Sequence, residues 1–317
     1  MDLMRQLIER QAMIMRLNKV RGQILGYKED YEPIRITDEY TEVESVIKDL
    51  VLPSKVKRPF MNIQKVKTGA KEFYGKYFAI HQVPYVSIET VKENQQRIGS
   101  INSGATIARQ FNSLCKMVEP FDIPITLVEG HSMVGETQKP LIISELPGFK
   151  ENVKIPFANV LLGKNLTDLS IATYIHEIAH ILTESNPGYA TSYHNKEVIS
   201  IFLEKVAALE LDPTKTLLRI SERMRFAHLY QMIQSLKQPN SQLNYDAALF
   251  NSSYIKSILL ATNLFDKYQN SSKEQQMEIM NQIQQIFDKQ ITVEDLLISQ
   301  EITLESSKKA DLIRKHI

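Results

Sequence analysis

The sequence predicts an α+β protein, predominantly α-helical, in which a small β-sheet packs on one buried helix. Three observations carry that expectation. Apolar residues recur at helical spacing near the start of the chain, a strand-rich block occupies about residues 123–162, and from Asn195 onward the pattern is helical almost throughout. Helices, then strands with a helix, then helices again is the order of a sheet set against a helical body. No internal repeat and no low-complexity linker interrupts the 317 residues, so a single unit is expected, with a mainly helical portion over 1–120 and a core over 121–317.

In chain order, Leu3, Leu7, Ile8, Ile14, Leu17 and Ile24 fall near helical spacing and predict an amphipathic helix over 2–25. Pro33 and Thr37-Asp38 mark a loop and a new helix start, and the helical pattern runs from Glu39 to Leu52 until Pro53 closes it. Residues 76–91, with their tyrosines, valines and isoleucines, read as strand or mixed, because Pro84 forbids an uninterrupted helix. Gly99 to Gly104 reads as a loop and Ala105 to Val118 as a helix. Ile123–Glu129 and Leu141–Leu146 are apolar and β-branched, and Gly130–Gly135 between them predicts a hairpin connection; Val153–Leu162 is a third strand. Thr167 or Asp168 caps a helix over the apolar run Leu169–Leu182. Asn186-Pro187-Gly188 breaks the chain, and further helices are expected over 197–211, 215–236, 245–268 and 273–289. Thr292-Val293-Glu294-Asp295 has the form of a capping box that opens a last short helix.

Charge and composition narrow the function. Hydrophobic content of 43% and charged content of 24% are those of an ordinary globular protein. Basic and acidic residues number 38 and 37, so no broad electrostatic footprint for nucleic acid is expected. The densest basic stretch holds Lys55, Lys57, Arg58, Lys65, Lys67, Lys71 and Lys76 against Glu72; it reads as a solvated surface or as a wall that attracts acidic substrates. Cys115 is the single cysteine, which excludes a disulfide within the chain, fits a reducing compartment and reads as a small core side chain. Residues 1–20 carry Asp2, Arg5, Glu9, Arg10 and Arg16 and lack the apolar centre of a signal peptide. No stretch approaches the roughly 18 apolar residues that cross a bilayer. The expected location is the cytoplasm, with no membrane partner and the oligomeric state left open.

The chemistry is concentrated in His176-Glu177-Ile178-Ala179-His180. Residues four apart share a helix face, so two imidazoles can reach one ion, and the glutamate between them sits beside the water that ion binds. This H-E-x-x-H arrangement is that of zinc peptidases, with one Zn2+ per chain, His176 and His180 as ligands and Glu177 as general base. Without a metal, the same segment is a helix with two half-buried histidines. Catalytic zinc takes three protein ligands and keeps a position for water. No H-x-x-G-x-x-H continuation exists, since Ile181-Leu182-Thr183-Glu184 follow His180, so a carboxylate on a second helix is expected. Glu197 and Glu204 lie 17 and 24 residues beyond His180, on one helix face with Ile201 between them. Glu197 is the expected ligand and Glu204 the carboxylate that orients a ligand imidazole through its other ring nitrogen. The reverse assignment stays open, as does His194 as a ligand; Glu184 reads as surface and His131 as a loop residue. The oxyanion formed in amide hydrolysis needs a further donor, commonly a tyrosine hydroxyl.

Tyr245-Asp246-Ala247, followed by Phe250, Tyr254, Ser257, Leu264 and Phe265, resembles the tyrosine-rich helix of the thimet oligopeptidase and oligoendopeptidase F family, which carries Y-D-A-x-Y-Y-x-Y-L-x-S and then an L-F or M-F pair. Counted from Tyr254, Ser257 and Phe265 fall at the family's spacing. Glu197 to Glu204 is similar to the family's ligand helix, and Lys289 to Leu297 to its closing segment, so the resemblance covers roughly residues 150–300. It implies a zincin-like core of the gluzincin type, mostly helical, with a substrate channel and activity on peptides. It also implies that Tyr254, with Tyr245 as the fallback, meets the oxyanion. The chain departs from the pattern in several places. Ala179 stands where the family has Gly, the chain is about half the usual length, and the interval from His180 to Glu197 is shorter. Two extra residues separate Tyr245 from Tyr254, and Ser241-Gln242-Leu243-Asn244 stand where the family has a histidine. The expected donors are thereby reduced to Tyr254 and Tyr245, in a smaller, more open relative. The expectation is a zinc-dependent peptidase acting on peptide or protein substrates. Against it stand an inactive helical scaffold that binds a partner and a metal-dependent hydrolase of a non-peptide substrate. Phenylalanine preserves packing, so Tyr254→Phe is expected to leave stability nearly unchanged.

Overall fold

The structure, a computed structural model, describes residues 35–50, 60–79, 82–85, 116–128, 136–138, 141–142, 154–155, 159–184, 193–237, 245–304 and 309–317. The helix expected over 2–25, the loop at 99–104, Cys115 and His131 lie outside the described residues. In chain order the elements are α1 (Asp38–Ile47), α2 (Ile63–Tyr77), β1 (Val83–Tyr85), β2 (Lys116–Val118), a 3-10 turn (Pro120–Asp122), β3 (Ile125–Val128), β4 (Glu136–Gln138), β5 (Leu141–Ile142), β6 (Lys154–Ile155), β7 (Asn159–Gly163), α3 (Asp168–Glu184), α4 (Tyr193–Leu211), α5 (Thr216–Lys237), α6 (Tyr245–Asn270), α7 (Lys273–Phe287), α8 (Val293–Ser299) and α9 (Lys309–His316). Helix predominates and the strands are short, the class that the sequence predicts. Packing divides the chain into two compact units, one within residues 58–189 and the other made of the described parts of 1–57 and 190–317.

In the unit within 58–189, α3 is central. Every residue from Leu169 to Ala179 is buried, and a helix apolar on all sides must be covered on all sides. Its start is set by Thr167, whose N–H donates to Ser170 Oγ at 3.0 Å. One cover is α2, capped by the Asn62 side chain, which accepts from the Lys65 N–H at 2.9 Å. Val66, Ala70, Phe73 and Tyr74, at i, i+4, i+7 and i+8, are its buried stripe. This helix is not among the sequence-based expectations, which treat its lysines as a basic stretch; the Asn62 cap and the apolar spacing are the signal that announces it. Gly69 brings α2 close to α3, since a Cβ there would stand 3.0 Å from Ile171 Cδ1. The Tyr74 hydroxyl donates to the Ile175 carbonyl at 2.7 Å, which ties α2 to the backbone just before His176.

The second cover is a mixed three-stranded sheet in the order β3-β7-β4, with β7 and β4 against α3. Val160 of β7 stands opposite Ile125 in the parallel pair and opposite Thr137 in the antiparallel one. Two expectations are corrected here. The hairpin from 123–129 to 141–146 does not form, because β3 takes β7 as its partner and β5 pairs with β6, Leu141 opposite Ile155. Lys116–Val118, expected as the end of a helix, is a strand paired antiparallel with β1, Val83 opposite Val118. In both cases a partner distant in the chain outweighs the local pattern, as is usual for β-structure.

The other unit is helical. Glu197 to Ala208 of α4 are all buried, and α5, α6 and α8 pack on α4 while α9 packs on α1 and α6. The ends of these helices differ from expectation by a few residues: α1 stops at Ile47 and α4 starts at Tyr193. Thr292 and Asp295 form the expected capping box of α8. Lys289 and Glu301, with φ of 62° and 56°, end α7 and α8 in the left-handed conformation. The N–H of Gln290 then reaches back to the Gln285 carbonyl, and that of Ile302 to Leu297. Lys205 of α4 is fully buried and meets Glu222 of α5 at 3.1 Å; the same Glu222 oxygen is 2.8 Å from His316 Nδ1 of α9. Burial raises the Glu222 pKa, but Lys205 and His316 outweigh it and hold the carboxyl below its usual range.

Candidate metal centre

Helix α3 carries His176 and Glu177, both buried, and His180, part-exposed. The Nε2 atoms of the two histidines are 3.1 Å apart, with the rings nearly perpendicular at 79°. Two imidazoles so placed either share a proton between a donor and an acceptor tautomer or present two lone pairs to one ion. Thr173 and Thr183 turn their hydroxyls back onto the Leu169 and Ala179 carbonyls, at 3.0 and 2.9 Å, so polar residues flanking the motif are satisfied within the helix itself.

His176, His180 and Glu197 each offer one ligand atom, and these atoms all lie within 4.8 Å of one another, a cluster that could hold a metal ion. Two imidazoles and a carboxylate are the donor set of catalytic zinc and of related divalent ions, so the residues present fit such a group. Glu204 is in no such cluster among the described residues.

Glu204 has another set of contacts. Its Oε1 accepts from Ser221 Oγ at 2.6 Å and its Oε2 from Arg225 Nη2. Arg225 also donates, through Nη1, to the Tyr254 hydroxyl oxygen on α6. Burial pulls the Arg225 pKa down, but Glu204, Tyr254 and Glu197 more than offset it, so the guanidinium is held charged. His228, one helical turn further on, is pushed down to about 4 by burial and by Arg225, against the opposing pull of Glu204. The Tyr254 ring stacks on Phe250, with centroids 6.1 Å apart. The side chains of Tyr245, His194 and Glu184 lie outside those described.

Ser221, Arg225 and His228 are not among the sequence-predicted site residues. They fall at i, i+4 and i+7 of α5, a polar stripe beside the buried stripe of Leu218, Glu222, Phe226, Leu229 and Ile233. That second periodicity, polar beside a mostly apolar stripe, is the signal that marks them. Of the basic stretch, Lys71 pairs with Glu119 at 2.6 Å and Lys76 lies over the Tyr77 ring.

No protein-family model and no curated protein matches the chain. Among solved structures, the chain is similar to one described as "a putative oligoendopeptidase F from Bacillus anthracis str. Ames". The identity is 12% and the TM-score 0.39, over 96% of this chain and 61% of that one, so the chain spans less than two thirds of that neighbour's length. No helix among the described residues is long and apolar enough to cross a membrane.

Proposed function

We propose that the protein is a zinc-dependent peptidase, with His176, His180 and Glu197 holding one Zn2+ per chain. One observation carries this reading: two imidazoles and a carboxylate, all but His180 buried, their donor atoms within 4.8 Å, with Glu177 next to the first imidazole on the same helix. When bound, zinc supplies a water that ionises near neutral pH and a Lewis acid for the scissile carbonyl.

The chain's own groups do the rest. Glu177 takes the proton of the attacking water and returns it to the departing amine. Tyr254 donates to the oxyanion of the tetrahedral intermediate, with Tyr245 as the alternative donor. Glu204, on the same helix as Glu197, is the outer carboxylate. The link from Glu204 through Arg225 to Tyr254 supports a role for that tyrosine, because it joins the ligand-bearing helix to the donor-bearing one. The substrates are peptides or proteins. The single cysteine of the chain supports a reducing, cytoplasmic location.

The test is metal analysis together with digestion of a quenched peptide library by the wild type and by Glu177→Gln. The expected result is about one zinc per chain in both proteins, with cleavage in the wild type alone. A chain that holds no metal, or a wild type that cuts esters or phosphates and no peptide, overturns the proposal.

A further inference from the structure

We infer that Arg225 is a positioning residue of this site, whose guanidinium fork ties the Glu204 carboxylate on α4 to the Tyr254 phenol on α6 and sets that phenol as a hydrogen-bond donor. The inference rests on the peptidase reading above. Its basis is the donor count. Arginine offers N–H groups and no acceptor, so its bond to the Tyr254 oxygen occupies a phenol lone pair. The phenol proton must then point to some other acceptor. Donation from a cation also polarises the O–H bond, which makes it the stronger donor.

The geometry is fixed at both ends of the fork. Nη1 serves Tyr254 and Nη2 serves Glu204, so the guanidinium plane is set by two residues on two helices. Ser221, on the same face of α5, holds the second Glu204 oxygen at 2.6 Å, so the carboxylate is restrained from turning away from the arginine. Helices α4, α5 and α6 pack on one another pairwise, and this is a point where all three are joined by charge-assisted bonds. Glu197 lies two turns before Glu204 on α4, so the fork couples the position of a proposed ligand to that of the proposed oxyanion donor.

The experiment compares Arg225→Met, Arg225→Lys, Tyr254→Phe and the double variants Arg225→Met/Tyr254→Phe and Arg225→Lys/Tyr254→Phe. Three readouts are taken: zinc content, kcat and KM on a cleaved peptide, and the titration of the Tyr254 phenol in metal-free protein. With 13 tyrosines in the chain, that titration is read as the ultraviolet difference between each protein and its Tyr254→Phe counterpart. Arg225→Met should lower kcat by about 100-fold with KM within about twofold, the cost of a misplaced catalytic group. It should add little to Tyr254→Phe and should move the phenol titration to higher pH, because the cation beside the phenolate is gone. Arg225→Lys keeps the cation and loses the fork, so it should titrate near the wild type and turn over between the two.

Equal losses from Arg225→Met in the wild-type and Tyr254→Phe backgrounds would make Arg225 a scaffold residue and overturn the inference. So would an unmoved phenol titration. If Arg225→Met does not fold, Arg225→Lys decides: a lysine variant with full wild-type kcat overturns the need for the fork. A wild type that cleaves no peptide defeats the peptidase reading, whereas the phenol titration still decides whether Arg225 acts on Tyr254.

Discussion

His176 Nε2 and His180 Nε2 stand 3.1 Å apart on consecutive turns of α3. Two nitrogens bound to one tetrahedral zinc at about 2.0–2.1 Å span an edge of about 3.3–3.4 Å, so the pair needs little adjustment to share an ion. With two imidazoles alone the site is weak, and the third ligand decides retention. Glu197→Ala should therefore strip most of the zinc during dialysis, read by mass spectrometry of metal per chain, while Glu204→Ala should keep it. The opposite result would exchange the roles of the two glutamates.

Glu177→Gln should retain zinc and melting temperature but lose orders of magnitude in turnover, because a carboxamide cannot accept the proton of the attacking water. Near-normal turnover in this variant, measured on a peptide that the wild type cuts, would rule out Glu177 as the base.

Tyr254→Phe should lower kcat by about 10²–10³ with little change in KM, as for loss of a single oxyanion donor. The sequence alone predicts no effect on stability. The structure changes that expectation, because Arg225 donates to the hydroxyl that is removed. Leaving a mostly buried guanidinium short of an acceptor should cost about 1–3 kcal/mol in urea unfolding.

Lys205 is fully buried against Glu222, which also meets His316, and removing it leaves the buried carboxylate with His316 as its remaining partner of those two. Lys205→Met should destabilise the fold by about 3–5 kcal/mol, and Lys205→Met/Glu222→Leu should recover much of that loss. The Glu222 carboxyl is held below its usual range, so its contribution is present above the ordinary glutamate pKa and is lost as pH falls through the depressed value. A single variant as stable as the wild type would mean that the pair contributes nothing.

His228 has its pKa lowered to about 4, while an unfolded histidine titrates near 6.5. Between those values the unfolded chain binds the proton and the folded chain does not, so stability falls as pH drops through that window, by about 3 kcal/mol in all. His228→Asn should flatten this part of the stability profile relative to the wild type, measured by denaturant midpoints from pH 7 to pH 4. An unchanged slope would mean that His228 takes up its proton in the folded state as readily as in the unfolded one.

Much of the fold is legible because helices are local. The start of α3 at Thr167-Asp168, the capping box at Thr292 and Asp295, and the run of helices after Asn195 all follow from residues within a turn or two of one another. The strands are less legible. That β3 pairs with β7 and Lys116–Val118 with Val83–Tyr85 depends on partners remote in the chain, which no window of neighbouring residues reveals. Helix α2 shows a different difficulty: its charged residues are conspicuous, while its buried stripe of Val66, Ala70, Phe73 and Tyr74 is easily overlooked among them.

The sequence by itself determined the spacing of His176, Glu177 and His180, because one helical turn dictates which side chains share a face. It also set Glu197 and Glu204 two turns apart on a second helix. Tertiary structure alone decided how the two glutamates differ: Glu197 belongs to a cluster with the two histidines that could hold a metal ion, whereas Glu204 is taken by Ser221 and Arg225. It likewise decided that Tyr254 meets an arginine from α5 and that Lys205 lies buried against Glu222. The reason is physical. Periodicity orders side chains along one helix, but a buried charge is satisfied by whichever opposite charge packing brings within reach, and that is a property of the folded chain.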